Sequence, residues 1–235
     1  SLFRIKPKLV VYPKNINDIK NLIYWIRDKR KEGKTYSITT QSARTDMTGG
    51  PLTDSIALSM TRYFNKIKEF GNHYVRIEPG VFYRELEAQL KPRNLMLPSY
   101  PASKEMCTVG GMVANNSGGE KTLKYGKTDR YVEAIKAVLD DGHEYEFGPI
   151  SITELEAITQ SDSRLAPIYK RIYELLISNK TLIESKKPNV SKNSAGYNIW
   201  NIIEGNTFNL AKIFVGSQGT LGIITEITFR LIEPS

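Results

Sequence analysis

The sequence has 235 residues, 40% of them hydrophobic and 25% charged, which suits a chain with a buried core and excludes a disordered one. A formal charge of +8 favours an anionic partner, either a phosphorylated cofactor, nucleic acid or an anionic membrane surface. The lysines are scattered without a basic stripe, so nucleic acid is not expected; no apolar run reaches the roughly 18 residues of a membrane span.

In chain order, Val10-Val11-Tyr12 reads as a short strand closed by Pro13. Asn15 or Asn17 can cap a helix whose apolar face carries Ile19, Leu22, Ile23 and Ile26, with Gly33 as its stop. Residues 35–40 and 56–60 read as strands, closing a small α/β lobe over residues 1–65. Residues 67–70 and 74–78 pair as strands around Gly71-Asn72, and a helix over 82–91 puts Leu86 and Leu90 on one face. Residues 131–139 and 144–147 flank Asp140-Asp141-Gly142, a hairpin signal. Helices are expected near 153–160 and 164–178, then strands at 213–215 and 223–232.

Three loops combine glycine with small hydroxyl or amide side chains: residues 41–50, residues 101–119 (PASKEMCTVGGMVANNSGG) and residues 215–225 (VGSQGTLGIIT). Glycine lets backbone N–H groups approach an anion, and serine or threonine adds a hydroxyl donor. Gly110-Gly111 precede a short helical run, Met112-Val113-Ala114, that Gly118-Gly119 can stop, so a diphosphate could rest on the amides at that helix start. Each loop alone is also readable as a plain structural turn. A Walker loop and a strand-linked GxGxxG are both missing from the sequence.

The order of these segments resembles the PCMH-type FAD-binding domain of the vanillyl-alcohol oxidase and D-lactate dehydrogenase superfamily. The resemblance runs from Val10 to the C-terminus. It rests on Tyr12-Pro13, Thr45-Asp46-Met47-Thr48-Gly49-Gly50, Glu78-Pro79-Gly80-Val81, Thr108-Val109-Gly110-Gly111, Tyr125-Gly126 and Gly216-Ser217-Gln218-Gly219-Thr220-Leu221-Gly222-Ile223. It implies an α+β, two-lobed fold. The small α/β lobe (1–65) is joined by a larger lobe (66–235) with a mostly antiparallel sheet flanked by helices. FAD lies between the lobes, and a substrate or cap domain lies outside this chain.

The resemblance further implies that Ser42, Ala43, Arg44, Thr45, Asp46 and Met47 cradle the pyrophosphate. The stretch from Ala102 and Ser103 to Thr108, and that of Asn115, Asn116, Ser117 and Gly118, line the diphosphate and flavin; the residues themselves add Gly110 and Gly111 as permissive backbone positions. The stretch from Gln218 to Ile224, with Gly219, Gly222, Ile223 and Ile224, meets the nucleotide part through its backbone. The implied activity is that of a flavin-dependent D-2-hydroxy-acid dehydrogenase, D-lactate- or glycolate-like, acting on a small 2-hydroxy acid and passing electrons to a further acceptor. The implied location is cytoplasmic, with any membrane association made through the electron-transfer partner. The alternative is a non-catalytic or degenerate FAD-binding module.

Three departures bear on the site, one being Gln218 where the family usually carries a glutamate, which removes a charge but preserves a hydrogen-bonding shape. The family usually reads R-G-x-G-T-S in its first loop, where this chain has Gln41-Ser42-Ala43-Arg44-Thr45-Asp46, so Ser42 and Arg44 replace glycines. Arg44 either strains a backbone meant for glycine or donates a charged hydrogen bond to the diphosphate. Thr45 stands where covalent members carry the flavin-linking histidine, which implies a non-covalent FAD. The two histidines, His73 and His143, fall beside turns and read as surface groups, Cys107 reads as a small, partly buried thiol, and no metal site or catalytic residue is identified. Lys192 to Tyr197 resembles a family stretch near the flavin face, and is readable equally as a helix-start turn.

Overall fold

The computed structural model describes residues 3–190 and 193–234. Its first unit is a three-stranded parallel sheet of order β1-β3-β2, with β1 Leu9–Val11, β2 Ile38–Gln41 and β3 Ile56–Ser59. Helix α1, Ile16–Lys31, connects β1 to β2. Asn15 caps it, its side chain accepting the Asp18 N–H at 3.2 Å. Lys29, Arg30 and Lys31 occupy the last turn, where the helix dipole favours cations. Gly33 completes the stop at φ +75°, a backbone region that disfavours residues with a Cβ.

β2 and β3 are parallel neighbours, and a parallel pair requires a crossover of about a dozen residues rather than a tight turn. Residues 42–55 make this crossover without a helix. The long first loop is therefore a topological necessity that runs across one end of the small sheet.

The larger sheet is antiparallel throughout, in the order β4-β5-β11-β6-β7. Its strands are β4 Ile67–Gly71, β5 Tyr74–Ile77, β6 Val132–Val138, β7 Glu144–Phe147 and β11 Ile223–Arg230. The last strand in sequence is thus the centre of the sheet, and five of its first six residues alternate between covered faces without reaching solvent. Its main core holds Val75, Ile77, Ile135, Ile227 and Phe229. Helices α2 (Tyr83–Leu90), α3 (Val109–Ala114) and α6 (Ala166–Ser178) contribute to that core. A small antiparallel sheet orders β8 (Pro149–Ser151), β10 (Thr207–Asn209) and β9 (Ile203–Glu204). The remaining helical pieces are α4 Thr122–Tyr125, α5 Ile152–Thr159, α7 Lys180–Lys186 and α8 Ala211–Phe214. A second cluster joins the two larger sheets: Ile19 and Ile23 of α1, with Leu58, Met60 and Phe64, pack against Val138 and Ile223.

Several sequence expectations need correction. Residues 213–215 are not a strand: Ala211–Phe214 is a helical turn, started by the Asn209 side chain accepting the Ala211 N–H at 2.9 Å, with Ala211 and Phe214 both buried. The glycines at 110–111 do not precede α3 but lie inside it, and Asn116, at φ +45°, stops it ahead of Gly118. The turn between β4 and β5 centres on Asn72-His73, one residue later than expected, because Gly71 pairs with Tyr74. Helix α7 and the small β8-β10-β9 sheet carried no periodic signal. No helix among the described residues is long and apolar enough to cross a membrane.

Candidate functional site

The three glycine-bearing loops converge on one cleft of about 280 Å³. Ser42, Arg44, Thr45, Asp46 and Met47 come from the crossover loop. Ser103, Thr108, Gly110, Gly111, Asn115 and Ser117 come from the second loop and α3, and Gly219, Gly222 and Ile224 from the approach to β11. Five expected residues lie elsewhere. Ala43 faces a recess on the other side of the crossover loop, Asn116 lines a second cavity, and Ile223 belongs to the inter-sheet cluster. Ala102 and Gly118 are absent from the cleft wall, and a Cβ on Gly118 would lie 2.4 Å from Thr122 Oγ1. The cleft also recruits Met112, Pro79 and Cys107 from the segments singled out in the sequence, and Met60, an apolar position with no local signal to separate it from ordinary core.

The start of α3 supplies fewer amides than expected. Val109 N–H donates to Val81 O at 3.0 Å, Gly110 N–H to Pro79 O at 2.8 Å, and Met112 N–H to Thr108 O at 3.1 Å. Gly110 is instead a packing glycine, since a Cβ there would sit 2.6 Å from Pro79 Cβ. Only the Gly111 N–H in this turn has no backbone acceptor among the described residues. A Cβ on Gly111 would come within 2.8 Å of Ser42 Oγ, so this glycine keeps a slit open between the first and second loops.

Beside that slit, Thr108 Oγ1 has no hydrogen-bond partner among the described residues; Ser99 and Thr122 share that property, but of the three only Thr108 lies in the cleft wall. An unmade buried hydroxyl bond costs about 1–3 kcal/mol, so such an atom marks a place where a ligand completes the structure. Hydroxyls of Ser42, Thr45 and Thr108 with the Gly111 N–H form a donor set suited to a diphosphate. Met60, Met112, Pro79 and Ile224 give an apolar surface suited to a flat ring. The residues present therefore fit FAD.

The charges in the wall are few. Burial pushes the Asp46 carboxyl up. Hydrogen bonds from Thr48 N–H (3.0 Å), Thr48 Oγ1 and Gly50 N–H (2.9 Å) outweigh it and hold the group below the usual range. Asp46 is thus an ionised brace for the crossover loop, its charge spent on Thr48 and Gly50. Arg44 is the one cation among the described residues of the wall, and its backbone sits at φ +59°. Gln218, at φ +56°, donates its N–H to Ala114 O at 3.0 Å and so ties the third loop to the end of α3.

Burial pushes the Cys107 thiol up to about 11, so it stays protonated at neutral pH. Both histidines are remote from the cleft: His73 lies at the β4–β5 turn, 3.9 Å from Glu233, and His143 lies 3.4 Å from Asp141. Lys192 is outside the described residues. Asn193, Ala195 and Tyr197 line the second cavity without starting a helix.

Known proteins match this arrangement. A family model described as "FAD binding domain" matches residues 7–148. The D-2-hydroxyglutarate dehydrogenase of Escherichia coli strain K12 is 28% identical over 230 residues, covering 96% of this chain and 22% of that protein. The D-lactate dehydrogenase of Anaerostipes hadrus is 30% identical over 199 residues, 83% of this chain and 31% of that protein. Glycolate oxidase subunit GlcD of Bacillus subtilis strain 168 is 25% identical over 233 residues, covering 98% and 38%. The chain therefore spans well under half the length of these curated relatives. Among solved structures, an alkyldihydroxyacetonephosphate synthase shares the fold with a TM-score of 0.60 at 20% identity, over 95% of this chain and 31% of that one. With the cleft's donor set and the family match pointing to the same cofactor, the chain belongs to the FAD binding domain family.

Proposed function

We propose that this chain is the flavin-holding part of a dehydrogenase that oxidises a small D-2-hydroxy acid, with FAD bound non-covalently. When bound, the flavin supplies the hydride acceptor. The chain's own residues hold its diphosphate, keep the slit at Gly111 open and seat the ring on apolar side chains. The observation that carries this reading is the unpartnered Thr108 Oγ1 in a cleft built from all three glycine-bearing loops. The substrate class follows from relatives that act on 2-hydroxy acids by name.

Non-covalent binding is supported by the cleft's composition. Among the described residues its wall holds no histidine or tyrosine, and its thiol is protonated. The same proposal includes the division into lobes at about residue 65, a substrate domain outside this chain, a separate electron acceptor and a cytoplasmic location with any membrane contact made through that acceptor. Acid precipitation of the protein loaded with FAD tests the linkage: all yellow colour is expected in the supernatant. Flavin retained in the pellet overturns the non-covalent part, and failure to take up FAD overturns the whole.

A second reading, a flavin-binding module that has lost tight binding, is favoured by one observation. Arg44 occupies a left-handed backbone position where the family carries glycine.

A further inference from the structure

The crossover loop borders the flavin cleft on one side and, on the other, a recess of about 300 Å³. The same segments wall both spaces. Met60 lines the cleft while its neighbours Ser59 and Thr61 line the recess, because an extended chain turns successive side chains to opposite faces. Cys107 lines the cleft and Met106 the recess. Arg44 stands at the boundary and borders both.

Among the described residues the recess holds two cations, Arg44 and Arg84, and no carboxylate. Arg84, on α2, is placed by contacts that leave most of its donors free. Its guanidinium carbon lies 4.3 Å from the centre of the Phe82 ring, and one N–H goes to the Glu105 carbonyl. Arg44 is placed by its backbone at φ +59°, and its guanidinium has no hydrogen bond, ion pair or ring contact among the described residues. A strained backbone persists where something compensates it, and no contact of this side chain within the described residues does so. Ser59 Oγ and Thr61 Oγ1 add two hydroxyls that meet each other at 3.5 Å, the limit of hydrogen-bond distance.

We propose that this recess is a second anion site, taking a phosphate group between the Arg44 and Arg84 guanidiniums with the Ser59 and Thr61 hydroxyls as further donors. A planar carboxylate is satisfied by one guanidinium fork. A phosphate group presents oxygens in several directions at once, which matches donors arriving from the crossover loop, the end of β3 and α2. Its charge of about −1.5 to −2 at neutral pH answers two guanidiniums that have no carboxylate between them. Phe82 and the exposed Met106 leave carbon surface at the rim, enough to seat the organic part of a phosphate ester. The site is independent of the flavin reading, and it gives the Arg44 guanidinium a partner outside the diphosphate cradle.

The test is calorimetric titration of the 235-residue chain at low ionic strength with inorganic phosphate, phenyl phosphate and acetate. Phosphate is expected to bind at least about tenfold tighter than acetate. Arg84→Gln changes a residue of the recess and not of the cleft, and Arg44→Asn removes the charge while keeping a side chain that tolerates the left-handed backbone. Each should weaken phosphate by about tenfold without lowering the melting temperature, and Thr108→Val, confined to the cleft, should leave phosphate affinity unchanged. Phenyl phosphate binding more tightly than inorganic phosphate assigns the site to an ester, and equal affinity assigns it to the free anion. No phosphate binding, acetate binding as tightly, or unchanged phosphate affinity in both folded arginine variants overturns the proposal. Phosphate lost in Thr108→Val instead puts the anion in the flavin cleft, which also overturns it. FAD uptake is measured separately, so a chain that binds phosphate through Arg84 but takes up no FAD counts against the proposed function and not against this site.

Discussion

Arg44 holds a backbone conformation that costs an L-residue with a Cβ about 1–2 kcal/mol relative to glycine, and it does so as the one cation in the cleft wall. Two effects of opposite sign follow for Arg44→Gly. Relief of strain stabilises the free protein by about 1 kcal/mol and tightens FAD binding, since the crossover loop then meets the cofactor without distortion. Loss of a guanidinium–diphosphate bond weakens FAD, more so at low salt. We expect strain to dominate, because Ser42 also replaces a family glycine in the same cradle. FAD titration decides it: an affinity loss of about tenfold or more, with the fold intact, assigns the guanidinium to the diphosphate.

Thr108 and Gly111 make sharper claims. Thr108→Val removes a buried hydroxyl with no protein partner, so the free protein should gain about 1 kcal/mol in denaturant stability while FAD affinity falls. Both changing in the same direction would remove the hydroxyl from the site. Gly111→Val places carbon within reach of Ser42 Oγ and closes the slit. A loss of about 2 kcal/mol, roughly thirtyfold in FAD affinity, is expected, and unchanged affinity in a folded variant would make the glycine a packing residue like Gly110.

At the scale of elements, the central strand β11 carries its own charge device. Glu226 is buried in it, with Lys68 of β4 at 2.8 Å and Lys136 of β6 at 3.1 Å. Burial pushes the Glu226 carboxyl up, but the hydrogen bonds and charges of the two lysines outweigh it, leaving the group below its ordinary value of 4.5. A carboxyl depressed in the folded state adds stability above its unfolded value and loses it as pH falls through the folded one. Stability should therefore drop on acidification below about pH 4.5, and Glu226→Gln should flatten that limb in urea melts recorded between pH 3 and 7. Unfolding curves with the same acid slope in both proteins would separate the trio from acid stability.

For the whole molecule, FAD bridging three loops should act as a fold ligand. At a hundredfold excess over Kd it adds about 2.7 kcal/mol, which for a chain of this size raises Tm by about 5–10 °C. A melting temperature indifferent to FAD would mean that the folded chain does not bind it.

A cap at Asn15 or Asn17, the apolar stripe of Ile19, Ile23 and Ile26, the stop at Gly33 and the hairpin at Asp140-Asp141-Gly142 were legible, because each depends on neighbours within a few residues; the structure chose Asn15. So were the three loops, since glycine and hydroxyl chemistry is local. What sequence alone could not decide was direction. Whether Gly110 offers its N–H to a ligand or to Pro79, and whether Asn116 looks into the flavin cleft or behind it, depend on partners from distant segments. Residues 213–215 mimicked a strand because a buried one-turn helix and a buried strand share an apolar run. Sequence by itself determined the elements with a local signal, such as α1 and the β6–β7 hairpin, together with the loop chemistry and the family. Only the tertiary structure determined which hydroxyl is left unpaired, which glycine holds a slit open and that a cationic recess shares a wall with the flavin cleft, because these are properties of closure between segments far apart in the chain.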